Sequence, residues 1–285
     1  MTYIRPATLA DALAARAHRP LQLVSGGTDC YTAPTAAHGT LGWLDISGVA
    51  TLRGISSDGE WTRMGATTKW TDIASCADSL VPASLRQAAQ VIGSRQIQAQ
   101  GTIGGNICNA SPVADGVPPL MSLDARVVLA SVQGTRELKL SEFLYGRRTI
   151  QLRSDEILTC VKFRTLSVGE ASAFYKFGNR KSSTIAVVSA AIFLRWSPSQ
   201  VIDTARVVVG GASEVPVRAT SLESAFIGRH LRSATAEMIG GAIPELSPMD
   251  DIRATAAFRT RLASVVVVRA TQRLRKGLKH VVDLA

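Results

Sequence analysis

Two glycine-bearing segments hold the residues of this 285-residue chain that are best suited to chemistry. The first loop, Val24 to Asp29, reads V-S-G-G-T-D and follows a short apolar run. Paired glycines let backbone N–H groups converge on an anion without interference from a Cβ atom, and Thr28 adds a hydroxyl donor. This chemistry suits a phosphate or pyrophosphate. The same residues are also typical of a turn that ends a strand, so the loop alone leaves both interpretations open.

The second loop begins at Gly101 and again combines glycines with small polar side chains. Its candidate ligand-binding residues are Gly101, Thr102, Gly105, Asn106, Asn109 and Ser111. So many small polar groups around glycines suit a large polar ligand better than a protein core. Asp115 ends the loop and could accept a hydrogen bond from a ribityl or ribose hydroxyl. Two such loops far apart in sequence suggest a ligand held between two lobes.

The remaining motifs argue against other kinds of site. Neither loop matches the dinucleotide fingerprint G-x-G-x-x-G or the phosphate loop G-x-x-x-x-G-K-[ST], and the chain has no G-x-S-x-G or H-E-x-x-H. The histidines, which are His18, His38, His230 and His280, lie outside both loops. We therefore predict no catalytic side chain and no metal ligand in this chain. A bound cofactor would supply the chemistry.

The pattern of the four cysteines favours a structural role. Cys30, Cys76, Cys108 and Cys160 are far apart and form no C-x-x-C pair. That spacing disfavours a zinc site, an iron–sulfur cluster or a disulfide framework, and favours buried free thiols.

The chain is strongly basic, with a net charge of +10. The basic residues are scattered, aromatic residues make up 5% of the chain, and the one dense cluster, Arg269 to Lys279, falls on a predicted C-terminal helix. Without a stacking platform, nucleic-acid binding is disfavoured. A solvated face, or a surface for an acidic partner subunit, fits the charge better.

No apolar run approaches the roughly 18 residues that span a bilayer. The start of the sequence also lacks the basic and apolar segments of an export signal. We therefore expect no membrane association and a cytoplasmic protein.

The first half of the chain alternates helices with short strands that would position the two loops. Predicted helices cover Thr8 to His18 and Pro82 to Gly93, and another opens at Thr71-Asp72. Predicted strands cover Leu21 to Val24, Gly42 to Ile46, Trp61 to Ala66, Val127 to Ala130 and Ile157 to Phe163. The segment from Gly101 to Pro119 shows little periodicity and is predicted to be a long functional loop.

A second, smaller α+β domain is predicted from about Ser172. Its strands are expected at Ala186 to Trp196 and Ala205 to Val209, and its helices at Ser221 to Ile227 and Ile252 to Lys276. We place the boundary within Arg164 to Glu170. The first domain then spans residues 1–168, with lobes of roughly 1–54 and 55–168, and the second spans 169–285.

The residues around the second loop resemble one family closely. Ile92 to Ile97, Gly101 to Ile107, Asn109 to Pro112 and Asp115 look like the FAD-binding subunits of xanthine dehydrogenase and carbon monoxide dehydrogenase-type molybdenum hydroxylases. The resemblance covers nearly the whole chain. Further similar segments are Leu23 to Asp29, Met64 to Thr67, Asp155 to Leu158, Ala173 to Arg180 with Ile185-Ala186, Val209 to Gly211 and Pro216 to Ala219.

The resemblance implies roles for particular residues. The FAD pyrophosphate would be wrapped by Val24, Ser25, Gly26, Gly27, Thr28, Asp29 and Cys30. The adenosine diphosphate and ribityl parts would be held by Gly101, Thr102, Gly105, Asn106, Asn109 and Ser111, with Asp115 bonding within that loop. Ile92 and Leu158, with Ile157 beside it, would sandwich the isoalloxazine ring. Lys176 would lie near the ring and help to set its reactivity.

The resemblance also implies a fold and partners. The fold would be α+β, a two-lobed FAD domain of the vanillyl-alcohol oxidase/xanthine dehydrogenase type followed by a ferredoxin-like C-terminal domain. The partners would be a large molybdopterin subunit with the molybdenum cofactor and a small subunit with two [2Fe–2S] clusters, in a heterotrimer or a dimer of heterotrimers. Electrons would pass through FAD to NAD⁺, oxygen or another carrier while the large subunit hydroxylates an N-heterocycle, purine or aldehyde.

The sequence departs from the family at one position and from part of the family elsewhere. Family members often have an aliphatic residue where this chain has Cys30, so the contact of the first loop could differ there. Some members carry an additional iron–sulfur cluster in this subunit. The absence of a cysteine cluster assigns this chain to the branch without one.

Two other classes of function stay open at this stage. A stand-alone flavin oxidase would need its own substrate domain, and the C-terminal block offers no evident catalytic set. A non-catalytic nucleotide- or nucleic-acid-binding module is suggested by the isoelectric point of about 10.0. A visible absorption spectrum would test the second class, and copurification would test the first. Neither the substrate nor the electron acceptor can be read from this chain.

Overall fold

The computed structural model describes residues 2–30, 42–77, 79–180, 185–233, 239 and 241–282. The predictions made for His38 and for the His280 side chain lie outside this part of the chain. No helix among the described residues is both long enough and apolar enough to cross a bilayer.

The N-terminal lobe is a small parallel sheet flanked by a helix. Its elements are β1 (Tyr3–Ile4), α1 (Leu9–His18), β2 (Leu21–Val24) and β3 (Gly42–Asp45). The strand order is β1-β3-β2, with both pairings parallel. Helix α1 begins after Thr8. The Thr8 hydroxyl accepts a hydrogen bond from the Asp11 N–H, one of the first backbone N–H groups that have no partner within the helix. The first loop starts where β2 ends, as the sequence predicts.

The second lobe is a larger antiparallel sheet with most of its helices on one face. Its elements are β4 (Ile55–Ser57), β5 (Trp61–Gly65), α2 (Trp70–Ser75), α3 (Ala83–Val91), α4 (Arg95–Gln100), α5 (Ile103–Asn109), α6 (Val117–Ser122), β6 (Arg126–Ser131), β7 (Gly134–Lys139), α7 (Leu140–Phe143), β8 (Leu144–Gly146), β9 (Thr149–Ile150) and β10 (Ile157–Arg164). The five-stranded order is β4-β5-β10-β6-β7, and β8 and β9 form a separate hairpin. The core lies between α2, α3, α5 and α6 and the buried sheet face that carries Met64, Val127 and Phe163.

The prediction of an irregular segment from Gly101 to Pro119 is wrong in part, because it contains α5 and the start of α6. Helix α5 begins after Thr102, whose hydroxyl accepts the Gly105 N–H at 3.2 Å, and ends at Ala110 in a left-handed conformation. A Cβ atom at Gly104 would lie 2.6 Å from the Ala66 carbonyl oxygen, so the helix needs glycine to pack there. Such packing glycines weaken the helical signal in the sequence.

The C-terminal domain is an antiparallel meander followed by helices. Its elements are β11 (Glu170–Gly178), β12 (Ala186–Trp196), β13 (Ile202–Gly210), β14 (Val217–Arg218), α8 (Thr220–Phe226) and α9 (Ala256–Val282). The strands pair in chain order. The predicted α+β class is confirmed. The order of the parts differs from a ferredoxin-like domain, because the described helices follow the sheet instead of alternating with its strands.

The long helix α9 starts later than the sequence suggests. The prediction placed its first residue at Ile252, whereas the Asp250 carboxylate accepts the Ala256 N–H at 2.5 Å and Asp251 pairs with Ala254 in a turn. An aspartate that caps the first turn competes with continuation of the helix into residues 250–255.

The two domains pack against each other through α3 and α6. Phe174 on β11 is fully buried with Ala88 of α3 and Ala191 of β12. The Phe174 N–H donates to the Gln87 side chain at 2.8 Å. These contacts bring strand β11 close to the segment that follows α3, which forms one wall of the site.

Candidate functional site

The two glycine loops touch each other. A Cβ atom at Gly26 would overlap the Gln100 carbonyl oxygen and lie 2.9 Å from the Gly101 Cα atom. The close approach of the two backbones therefore requires glycine at position 26. Gly27, next to it, has a φ of +67°, which L side chains rarely adopt. The loops of the two lobes therefore form one continuous surface.

A cavity of about 410 Å³ lies against this surface, within the usual size range of ligand pockets. Most of the predicted site residues line it. They are Val24, Ser25, Gly26, Gly27, Thr28, Asp29, Cys30, Ile92, Gly101, Thr102, Gly105, Asn106, Asn109, Ile157 and Leu158. Residues that are remote in sequence thus meet at one site between the two lobes.

The polar side of the cavity has hydrogen-bonding capacity that the described residues do not use. The Ser25 hydroxyl oxygen and the Asn106 Oδ1 are buried without a hydrogen-bond partner in this part of the chain. A buried polar atom without a partner is costly, so a polar ligand would satisfy both groups. A Cβ atom at Gly105 would meet only the Thr102 hydroxyl, at 3.0 Å, within 4 Å. The absence of a side chain at Gly105 leaves this wall open to a ligand.

Part of the cavity lining is apolar. Ile92 is 7% exposed and lies on the segment after α3, while Ile157 and Leu158 are buried at the start of β10. Trp70, on α2, adds an aromatic surface next to the second loop, where a Cβ atom at Gly101 would lie 3.4 Å from its ring. An apolar wall beside a polar one suits a ligand with a planar ring at one end and charged or hydroxyl groups at the other.

A partly buried ion pair fixes the position of the start of β10. The Glu156 carboxylate, 4% exposed, accepts the Arg136 Nε at 2.6 Å and its Nη2 at 2.8 Å. It also accepts the Arg153 backbone N–H at 2.8 Å. The hydrogen bonds from Arg136 hold the pKa of Glu156 below its usual value. This clamp fixes the residue that immediately precedes Ile157 and Leu158.

Sequence reasoning missed Arg148 and Trp70. Arg148 lies between β8 and β9 with a φ of +54°, and its Nη1 donates to the Asn109 Oδ1 at 2.6 Å. It brings a positive charge to the polar part of the cavity. No local motif predicts a role for Arg148, because only the tertiary fold brings the β8–β9 hairpin to the cavity. Trp70 likewise resembles an ordinary core residue in the sequence.

Three predicted site residues, Ser111, Asp115 and Lys176, lie outside the cavity lining. The Lys176 ammonium donates to the Asp115 carboxylate at 2.6 Å and to the Val91 carbonyl oxygen at 2.6 Å. Burial raises the pKa of Asp115 to about 6, while the positive charge of Lys176 opposes the rise. The structure gives Asp115 and Lys176 a shared role in joining the two domains. Direct contact of these three residues with a ligand stays a prediction.

Two cysteines, Cys30 and Cys108, line the cavity as free thiols. Burial raises the pKa of Cys108 to about 12, which keeps it neutral near pH 7. No cluster of three or more metal-ligating side chains occurs among the described residues.

Comparisons with known proteins match both domains. The family described as FAD binding domain in molybdopterin dehydrogenase matches residues 1–163. The family described as CO dehydrogenase flavoprotein C-terminal domain matches residues 173–274. Together, the two matches cover most of the chain.

Relatives with similar sequences are named as FAD subunits of dehydrogenases. The chain is 33% identical to the nicotinate dehydrogenase FAD-subunit of Eubacterium barkeri, over 76% of this chain and 75% of that one. It is 31% identical to the xanthine dehydrogenase FAD-binding subunit of Escherichia coli, over 92% of this chain and 91% of the relative.

Solved structures share the fold. A chain of carbon monoxide dehydrogenase from Hydrogenophaga pseudoflava superposes with a TM-score of 0.86 and 24% identity, covering 97% of each chain. A chain of quinoline 2-oxidoreductase from Pseudomonas putida 86 gives a TM-score of 0.82 at 22% identity, covering 97% of each chain. These structural similarities extend over both domains.

Proposed function

This chain belongs to the family of FAD-binding subunits of molybdenum hydroxylases, and we propose that it transfers electrons from an iron–sulfur partner subunit to an external acceptor. The observation that carries the proposal is the cavity between the two glycine loops. Its unpaired buried polar atoms, Ser25 Oγ and Asn106 Oδ1, lie in the same pocket as the apolar Ile92 and Leu158. FAD has the matching division into a polar diphosphate and ribityl part and a planar ring.

The polar residues would hold the diphosphate and ribityl part of FAD. Gly26 and Gly27 have no side chains, so a ligand can approach the backbone N–H groups of the first loop closely. The Thr28 hydroxyl is a further hydrogen-bond donor there. Arg148 would supply the positive charge that a diphosphate requires, because a guanidinium matches phosphate oxygens in geometry and charge. Asn106 would use its unpaired oxygen to accept from a ligand hydroxyl.

The apolar residues would enclose the isoalloxazine ring. Ile92 and Leu158 lie on different elements that both reach the cavity, and the Glu156–Arg136 clamp fixes one of those elements. Bound FAD would supply the capacity to accept and release electrons. The chain itself binds, orients and shields the cofactor.

Partners are part of the proposal. Relatives named as FAD subunits and medium chains support a large molybdopterin subunit and a small subunit with [2Fe–2S] clusters as neighbours.

We place the domain boundary near residue 168, between the two family matches. The hydroxylated compound would be an N-heterocycle, purine or aldehyde bound by the large subunit. The heterotrimer, the cytoplasmic location and the acceptor stay predictions.

The rival flavin oxidase differs in what it needs from this chain. An oxidase that acts alone requires a substrate-activating group beside the ring, and the described cavity lining contains no histidine or glutamate. An electron-transfer subunit needs no such group.

Copurification tests the proposal. The chain, tagged and expressed with its genomic neighbours, should isolate with a molybdenum-containing subunit and an iron–sulfur subunit, and the complex should show flavin and [2Fe–2S] absorbance. Isolation as a single flavoprotein that turns over a substrate without molybdenum would favour the oxidase. A colourless chain without partners would refute both functions.

A further inference from the structure

A second cavity, of about 610 Å³, lies beside the first between the two domains. It is bounded by α3 and α4 of the first domain and by β11 and α9 of the second. Helices α2 and α4 and the segment from Val91 to Gly93 contribute residues to both cavities. Ile92 lines the first cavity, while Val91 and Gly93 line the second. Gly93 permits this turn with a φ of +51°.

Positively charged side chains line the second cavity. Arg95, Arg180, Arg273 and Lys176 all contribute to its wall, and no acidic side chain does so among the described residues. Lys176 is neutralised by Asp115, at 2.6 Å. The three arginines therefore supply the net positive charge of the cavity.

All three arginines are exposed, and one of them is held in place. The Arg273 guanidinium donates to the Phe174 carbonyl oxygen at 3.0 Å and lies 5.8 Å from the centre of the Tyr175 ring. Arg95 and Arg180 are exposed, and within the described ranges neither has a carboxylate at salt-bridge distance. Three positive charges around one concave space repel one another, and an anion between them would relieve that repulsion.

We propose that this second cavity binds a phosphate-bearing small molecule, with Arg95, Arg180 and Arg273 as its anion ligands. Guanidinium groups bind phosphate oxygens through paired, charge-assisted hydrogen bonds. Ser94, Gln90 and Gln98 add neutral hydrogen-bonding groups to the same wall. The cavity volume lies within the range of small-molecule sites, which favours a small ligand over a flat protein contact.

The test uses the full chain in its purified complex, saturated with FAD, at constant ionic strength. Isothermal titration calorimetry with inorganic pyrophosphate should give saturable binding. Arg95→Gln and Arg180→Gln should each weaken that binding by about tenfold or more, because each loses a charged hydrogen-bond donor. Both residues are exposed, so the variants should keep the melting temperature of the parent.

Arg261→Gln is the matched control. Arg261 lies on α9 about three turns before Arg273, is exposed, and does not line the cavity. The substitution removes the same charge about 18 Å along the helix axis from Arg273, beyond the screening length, and should leave pyrophosphate affinity within about twofold. Absence of saturable binding, or equal weakening in all three variants, would overturn the proposal.

Titrations with ADP and with adenosine identify the source of the phosphate. Tighter binding of ADP than of pyrophosphate would indicate a nucleotide, and equal binding would indicate a simpler phosphate compound. Both results support the site, whereas adenosine binding as tightly as ADP would contradict it.

This inference is independent of the proposed function. FAD content is measured on the same samples. If the chain holds no FAD, pyrophosphate binding that still depends on Arg95 would support the second cavity alone. If the chain binds FAD but pyrophosphate binding does not depend on Arg95, the proposed function would stand and the anion site in the second cavity would be refuted.

Discussion

The Lys176 ammonium on β11 lies 2.6 Å from the Asp115 carboxylate of the first domain, and the two side chains are 5% and 7% exposed. Lys176 also donates to the Val91 carbonyl oxygen, directly before the residue that faces the first cavity. One ion pair thus joins both domains at the wall between the two cavities. Its position makes it a contact on which stability and cofactor geometry would both depend.

Removing the cation should destabilise the fold. Lys176→Met keeps most of the side-chain volume and leaves Asp115 buried without its partner. We expect a loss of about 3 kcal/mol in the free energy of unfolding, measured by urea denaturation near pH 8, since breaking a buried pair strands a charge. The double variant with Asp115→Asn should recover part of the loss. A single variant as stable as the parent would show that the pair contributes little.

Asp115 should also give stability a pH dependence. Burial raises its pKa from 3.8 to about 6, so the folded protein holds this proton more tightly than the unfolded chain does. The contribution of Asp115 is then complete below about pH 4 and is lost as pH rises through about 6, with an upper limit of about 3 kcal/mol. The difference in unfolding free energy between the parent and Asp115→Asn should fall over this range. A difference that grows with pH would contradict the raised pKa.

The Glu156 clamp should matter for both stability and flavin environment. Glu156→Gln loses the charge that accepts two Arg136 donors, so the free energy of unfolding should drop by about 1.5–3 kcal/mol. Because Leu158 lies two residues after Glu156, at the start of β10, the flavin absorbance bands should also shift. Glu60→Gln is the control, since its pair with Arg164 is exposed and should contribute less than about 1 kcal/mol. Equal effects of the two substitutions would argue against a clamp.

The contact between the loops predicts a strict requirement at Gly26. Gly26→Ala places a Cβ atom against the Gln100 carbonyl oxygen, so the loops must separate. We expect weaker FAD retention during gel filtration and a lower melting temperature. Gly59→Ala is a useful comparison, because Gly59 has a positive φ but a Cβ atom there would meet no other atom within 4 Å. Gly59→Ala should cause only backbone strain, of about 1 kcal/mol, and retain FAD. Full FAD retention in Gly26→Ala would mean that the loops need not touch.

The parts that the sequence predicts well are encoded locally. Apolar runs predict β2 and β10, and paired glycines identify the first loop. The segment that forms α5 is missed because its packing glycines weaken the helical pattern. Strand β11 is missed too, although the resemblance identified Lys176 within it.

The rest of the site depends on tertiary structure. Arg148 reaches the cavity from the β8–β9 hairpin, and Lys176 meets Asp115 across 61 positions of sequence. No sequence motif or regular spacing predicts either contact. The second cavity is likewise invisible in the sequence, since its arginines lie on α4, after β11 and on α9.

The central claim is that FAD binds non-covalently in the cavity at Gly105. The measurement is the flavin released by acid precipitation of the purified complex, per copy of this chain, for the parent and for Gly105→Val. A valine at Gly105 would extend into space that the ligand needs, whereas Gly277→Val is the control because a Cβ there meets no atom within 4 Å. We expect about one released FAD per parent chain and per Gly277→Val chain, and an assembled but flavin-depleted Gly105→Val complex. A colourless parent, or full flavin in Gly105→Val, would contradict FAD binding at this site.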